Sequence, residues 1–456
     1  MGRRRKRRGV SFGTILMLVL SIAVAGCTAY VLPRLAGDTV IELQAGEMLQ
    51  ALSVSDGMPS LMLHDIPISV TTQKPQTVQP TAAVQHTAQS ASTPAVQRPT
   101  TTPVPIPTAE PYRGGSITLT IGGSIHMDEA VRKSGYYSEA DKYDFSELLM
   151  LIEDEFASDL TLVSLENLIM PDKKVSALIA PEETLDMLKA AGIDIIAAGF
   201  PQAFDQKLPG VEQTVAEIRA RELQVIGVAA DSSGSAGYLA EINHVKIGFL
   251  HYVQSLSSSG KKAIKKVDAS YAVPVLDMEK AAADIAQLRS RGAQIVVVSV
   301  NWDGSKTTPS KTQVALSQQL ADAGADVIAG TGTDIVQPAV WLNGTRNDGT
   351  AHKTLCAYSL GSFLSESRSN GGVAAMLLQL KISVDGAGQV SFDQAAYTPT
   401  YIWRYKQDGK YFYRVVASDQ PSPDGMGDEQ SEVKERALAN LKKYMGDETV
   451  LTIRVK

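Results

Sequence analysis

From Ser116 onward the chain alternates between short, strongly apolar runs and longer amphipathic ones. "SITLTIGG" and "DLTLVSLE" predict strands. A helix in "PEETLDMLKAAG" leads to the strand "IDIIAAG", and a helix in "GVEQTVAEIRAR" leads to "LQVIGV". "YLAEINHVKIGFLHYV" reads as a hairpin turning at Asn243 and His244. In "LDMEKAAADIAQLRSRG", Met278, Ala281, Ile285 and Leu288 share one helical face. The strand "QIVVVSV", the helix "SKTQVALSQQLADAG" and the strands "ADVIAG" and "KTLCAYSLG" follow. Residues 373–405 supply antiparallel strands around a glycine turn. "SEVKERALANLKKYMG" predicts a surface helix with Val433, Ala437, Leu441 and Tyr444 inward, and "TVLTIRV" a closing strand. Uninterrupted runs such as "IVVVSV" imply strands covered by helices, so the class is α/β with mixed sheets.

The N-terminal quarter has a different texture. Residues 11–32 carry no charge and follow the basic run Arg3–Arg8. About 20 apolar residues cross a bilayer core, and the basic flank stays inside, which predicts a signal-anchor with everything after it extracytoplasmic. "VAGC" ending at Cys27 offers lipidation as the alternative anchor. Residues 33–70 form a short juxtamembrane segment. Residues 71–112, rich in Thr, Pro and Gln, read as an extended linker. The expected order is thus a tail over 1–10, an anchor over 11–32, these two segments, an α/β domain over 113–405 and a C-terminal extension over 406–456. The net charge of −6 falls to −12 once the six basic residues of the tail are set aside, which excludes a nucleic-acid-binding surface. Cys356, in an apolar strand, reads as a small buried hydrophobe and His251 as a core histidine.

In such folds ligands bind at the carboxyl ends of strands. Those ends read "GGSIH" (122–126), "SLENLI" (164–169), "GFPQAFDQ" (199–206), "NWDGS" (301–305), "GTGTD" (330–334) and "SLGSF" (359–363). They define a candidate cleft of Gly123, Ser164, Gln202, Asp205, Asn301, Trp302, Thr331, Thr333 and Ser362. His126, Glu166, Asp303 and Asp334 are the candidate catalytic groups.

The order and spacing of these blocks resemble the CapA family, bacterial proteins linked to synthesis of poly-γ-glutamate capsules. Leu165-Glu166, Ala203-x-Asp205, Trp302, Gln337-Pro338 and Ser359-Leu360-Gly361-x-Phe363 carry the likeness. The resemblance implies a four-layer α-β-β-α sandwich of the calcineurin-like metallophosphatase type with two divalent metals. The residues that would bind them differ. The family's Gly-Asp is Gly122-Gly123 here, and its Asn-Leu-Glu is Ser164-Leu165-Glu166. Its Asn-Asn-His is Phe200-Pro201-Gln202, and the His of its His-Trp-Gly is Asn301. Its Gly-His-His-Pro-His is Gly330 to Asp334, and the Asn of its Ser-Leu-Gly-Asn-Phe is Ser362. A two-metal centre needs several imidazoles and carboxylates converging on its ions, so the expectation is no metal and no cofactor. The expected role is that of a pseudoenzyme that binds an anionic envelope polymer or an envelope protein. The alternative is a metal-dependent hydrolase or ligase accessory with a site rebuilt from His126, Asp128, Glu166, Asp205, Asp303 and Asp334 around one hard cation.

Overall fold

The computed structural model describes residues 114–455, except 234–236, 305, 347–348 and 370. The anchor, juxtamembrane and linker segments expected over 1–112 lie outside the described residues. No helix among those described is long and apolar enough to cross a membrane.

Two mixed sheets carry the fold. The first is built from β1 (Gly115–Ile125), β2 (Leu160–Leu165), β3 (Ile195–Ala197) and β4 (Gln224–Ile226), parallel to one another in that order. The second holds β5 (Tyr238–Ile242), β6 (Val245–Val253), β7 (Ile295–Asn301), β8 (Val327–Thr331), β9 (Gln337–Thr345) and β10 (Ala351–Ser359), in the order β9-β10-β8-β7-β6-β5. Its four inner strands β6, β7, β8 and β10 are parallel, and an antiparallel hairpin arm closes each edge. The chain then returns to the first sheet. β11 (Ser362–Leu364) runs parallel to β1, and β12 (Ala374–Val384) pairs antiparallel with β1. β13 (Val390–Gln407) follows β12, and β14 (Lys410–Ala417) forms the edge. β15 (Thr452–Ile453) lies against β13.

Period-two alternation explains how the sheets stack. Ile117, Leu119 and Ile121 of β1 point to the same buried cluster as Ile247 and Phe249 of β6 and Val297 of β7, so the two sheets face each other across one apolar layer. The opposite face of β2 and β3 is covered by the helices Glu183–Ala190 and Lys207–Ala220. The opposite face of β6, β7 and β8 is covered by Met278–Ser290 and Lys311–Asp322. Each buried Leu or Ile contributes about 1.5–3 kcal/mol, so the outer layers are held by the strand runs legible in sequence. Asp277 and Ser310 cap the two latter helices, Ser310 in a capping box with Gln313.

Local signals behave as their chemistry requires. The β5–β6 hairpin turns at Asn243 and His244, both with positive φ (50° and 66°), the backbone of a two-residue turn. The last helix spans Asp428–Met445, three residues earlier than expected, and its buried stripe ends on Met445 rather than Tyr444. β13 runs through residue 405, where the apolar pattern had suggested a boundary. It continues because Tyr405 and Lys406 pair across to Phe412 and Tyr411, so residues 406–456 supply an edge strand and the two-residue strand β15 to the first sheet.

Candidate functional site

The carboxyl ends of β1, β2, β7 and β8 meet around one carboxylate. Glu166 follows β2, and its backbone N–H is tied to the Ile125 carbonyl at the end of β1. Its Oε1 accepts the Ser124 hydroxyl at 2.6 Å and the Asn301 amide at 2.9 Å. His126 Nε2 lies 4.0 Å from the same oxygen. Ser124 Oγ also accepts the Gly332 backbone N–H at 3.3 Å. Glu166 therefore links both sheets through neutral donors. Ser124 stands opposite Ser164 and Ser362 on the neighbouring strands, and Asn301 stands opposite Thr331, so five small polar residues ring this point. Ser164 Oγ, Asn301 Oδ1 and Thr331 Oγ1 are buried without a protein partner.

The other sequence-derived positions are placed as follows. Thr333 is buried and donates from its hydroxyl to Ser359, tightening the "GTGTD" turn. Asp334 lies beside Ser362, whose hydroxyl is 3.3 Å from its Oδ1. Trp302 is 1 % exposed and belongs to the outer core of the second sheet, while Phe200 is packed in that of the first. Gln202 and Asp303 are exposed. Asp205 accepts the Ser257 hydroxyl at the cap of the helix Ser258–Ile264. Asp128 accepts the Glu366 backbone N–H, and burial raises its carboxyl above the usual range. The acids considered for a rebuilt centre are thus spread over separate local contacts. Among the described residues no group of three or more His, Cys, Asp or Glu side chains converges.

Sequence reasoning passed over Ser124, which follows the double glycine where the strand was expected to end, whereas β1 runs on to Ile125. It also could not foresee what closes on Gly123. β1 is irregular between Ile121 and Ser124, and there the Gly361 carbonyl accepts the Ser124 N–H at 3.0 Å. A Cβ built on Gly123 would lie 2.1 Å from that carbonyl oxygen. The space for a side chain at this position is filled by backbone. The donor set therefore does not fit a two-metal centre: one carboxylate, already bonded on one oxygen, is surrounded by neutral hydroxyls and amides, with one imidazole, His126, 4.0 Å away.

His251 is a core histidine. Its Nε2 lies 2.8 Å from the Gly199 carbonyl and so donates to it, which leaves Nδ1 to accept the Ser299 hydroxyl at 3.0 Å. Gly199 and Gly227 lie against the ring, where any Cβ would collide with it. A cavity of about 20 Å³, room for one water, opens beside the ring between Ile226 and Pro274, away from Glu166. Full burial pushes the imidazole down from 6.5 to about 4. As pH falls through that window the unfolded chain binds a proton that the folded chain refuses. Stability contributed by the neutral ring is therefore complete above about pH 6.5 and falls by about 3 kcal/mol as pH approaches 4. A His251→Gln chain is expected to lose this component of the pH dependence. Urea unfolding at several pH values between those limits reads it as a difference in slope, separate from any cost of repacking. Equal slopes in the two chains would refute the assignment. Cys356 is buried, and its thiol is pushed up to about 12, which removes thiolate chemistry near neutral pH.

The comparison with known families settles kinship. The model for "Bacterial capsule synthesis protein PGA_cap" matches residues 118–367, more than half the chain, and spans every strand end just described. The chain belongs to the PGA_cap family. Among relatives, it is 24 % identical over 294 residues to the PGA biosynthesis protein CapA of Bacillus subtilis (strain 168), covering 62 % of this chain and 72 % of that protein. It is 23 % identical over 256 residues to the capsule biosynthesis protein CapA of Bacillus anthracis, covering 54 % of this chain and 59 % of that relative, a little under two thirds of its length. Among solved structures, the calcineurin-like phosphoesterase YfkN from Bacillus subtilis aligns with a TM-score of 0.37 at 12 % identity, covering 73 % of this chain and all of that one. The Haemophilus influenzae NAD nucleotidase NadN aligns at 0.38 and 11 % identity, covering 74 % and 57 %. The PGA_cap match encloses Glu166 together with Ser124, Ser164, Asn301, Thr331 and Ser362.

Proposed function

We propose that this PGA_cap-family chain is a membrane-anchored, extracytoplasmic component of capsule or envelope-polymer assembly, and that its strand-end site binds rather than hydrolyses. The reading of the family's two-metal hydrolase as lost here rests on one observation: Gly123 has no room for a ligand side chain, because the Gly361 carbonyl stands where its Cβ would be. The remaining positions agree with it. Ser124, Ser164, Asn301, Thr331 and Ser362 supply neutral oxygens and amides around Glu166, a lining suited to hydrogen-bonding a polar group rather than to fixing two divalent ions. The uncharged residues 11–32 behind a basic tail support tethering at the membrane. The link to a capsule polymer is supported by the names of the Bacillus relatives, a PGA biosynthesis protein and a capsule biosynthesis protein, and poly-γ-glutamate by the resemblance drawn from the sequence.

The test is metal content of the purified full chain by plasma mass spectrometry after incubation with Mn²⁺, Zn²⁺, Ca²⁺ and Mg²⁺, paired with a phosphodiester hydrolysis assay. The expected result is far less than one ion per chain and no metal-stimulated turnover. Retention of one or two ions together with turnover would overturn the non-catalytic reading.

A further inference from the structure

The β13–β14 hairpin lies beyond the family match, which ends at residue 367. Between Trp403 and Arg414 it carries Arg404, Lys406, Lys410 and Arg414 interleaved with Trp403, Tyr405, Tyr411, Phe412 and Tyr413. The turn Asp408-Gly409, both at positive φ, fixes the register so that cations and rings are cross-strand neighbours. Arg404 stacks 4.6 Å from the Tyr411 ring centre, and Lys406 sits 5.7 Å from the same ring. On the opposite face Lys410 lies 5.2 Å from Phe412 and 5.4 Å from Tyr137, and Arg414 lies 5.3 Å from Tyr405.

A cation seated on a ring keeps its N–H donors for another acceptor, whereas one paired with a carboxylate has spent them. Arg414 pairs with Glu147, and Lys410 donates to the Tyr136 carbonyl. Among the described residues no carboxylate forms an ion pair with Arg404 or Lys406. The acids nearby are Asp408 in the turn, Glu147, Glu366, whose Oε2 accepts the Ala130 N–H, and Asp141, which accepts the Tyr136 hydroxyl. A further guanidinium, Arg368, sits 5.5 Å from the Tyr413 ring and donates to backbone carbonyls including that of Ile402. Burial, and then the charge of Arg404, push it below the usual guanidinium range, so two positive groups are held close without an anion between them.

We propose that this hairpin is a docking strip for a linear polycarboxylate, its carboxylates bridging Arg404 and Lys406 on one face and reaching Lys410 on the other. Successive same-face positions of a strand are about 7 Å apart, a spacing a flexible polyanion can follow. Because the cations occupy both faces of a two-stranded ribbon, a chain that wraps fits them, while a flat anionic membrane meets one face only. The choice of carboxylate rests on the capsule-polymer role proposed above.

The experiment measures binding of the full chain, in neutral-lipid nanodiscs, to immobilised poly-γ-glutamate across a salt series. Polyphosphate and vesicles containing anionic lipid run as competitors. Binding that weakens with salt is expected, with Kd about tenfold weaker in the double variant Arg404→Gln/Lys406→Gln. The charge-conserving pair Arg404→Lys/Lys406→Arg should stay within about threefold, and melting curves should match the wild type. Unchanged binding by the Gln variant would overturn the strip while leaving the polymer-binding role intact. Stronger competition by polyphosphate or anionic vesicles than by free poly-γ-glutamate would overturn the choice of ligand. Absence of poly-γ-glutamate binding by the wild-type chain would remove the strip and the polymer role together.

Discussion

A Gly123→Asp chain, which restores the acid that the CapA pattern carries at this place, is expected to lose at least about 3 kcal/mol of stability and to gain no metal. The new Cβ would stand 2.1 Å from the Gly361 carbonyl oxygen and 3.2 Å from that of Leu360, both backbone atoms that no rotamer change can move. The Gly361 carbonyl is itself engaged with the Ser124 N–H, so relief requires breaking the β1 irregularity that places Ser124 on Glu166. A buried carboxylate next to carbonyl oxygens adds a desolvation cost with no donor to offset it. Gly123→Ala separates the two contributions, because it retains the collision and omits the charge. Most of the loss is expected in the alanine variant as well. Urea unfolding and metal analysis of both chains decide the matter. A stable Gly123→Asp chain that takes up Mn²⁺ would show that the metal centre is one substitution away, and the loss of catalysis would have to be argued again.

This case shows which parts of the molecule are legible from its sequence. Buried parallel strands such as Ile295–Asn301 announce themselves, because burial on both faces demands continuous apolar residues, and the helices between them show their stripes. The strand ends are then located by counting, which puts Ser164, Asn301 and Thr331 at one end of the sheets. What counting does not reveal is approach between chain segments far apart in sequence. The contact between Gly123 and Gly361 spans more than two hundred residues and is written in two glycines that, taken alone, look like an ordinary turn signal. The dispersal of the acids is similar. Asp205 and Asp128 sit near strand ends in sequence, yet each is drawn to a donor from a segment distant in sequence, the Ser257 hydroxyl 52 residues on or the Glu366 N–H 238 residues on. The edge hairpin was hidden for another reason: charges alternating with aromatics look like a solvated strand until the register stacks them on one another.

Asp326→Ala is expected to cost about 3–5 kcal/mol, though the residue lies at the opposite end of the strands from Glu166. Asp326 precedes β8 and is almost wholly buried. One carboxylate oxygen accepts the Val296 N–H at 2.8 Å and the Arg289 guanidinium, and the other accepts Arg346 at 2.9 Å. Its backbone completes the pairing, donating to the Val296 carbonyl and accepting from Leu355, so one residue ties the starts of β7 and β8 to the middle of β10. The alanine chain leaves two partly buried guanidiniums without their anion, and the Val296 N–H without an acceptor. Asp326→Asn keeps an acceptor for Val296 but removes the charge, and it should fall between the two. Urea midpoints at constant m-value measure the effect. A loss below about 1 kcal/mol would place this cluster with ordinary surface ion pairs. The position of Asp326 also makes the substitution a control for the binding experiments. The amino ends of these strands hold the sheet together while their carboxyl ends present Asn301 and Thr331, so below its melting point the Asp326→Asn chain should bind poly-γ-glutamate as the wild type does. Weakened binding in a chain still folded would mean that stability and ligand recognition are not divided between the two ends of the sheet.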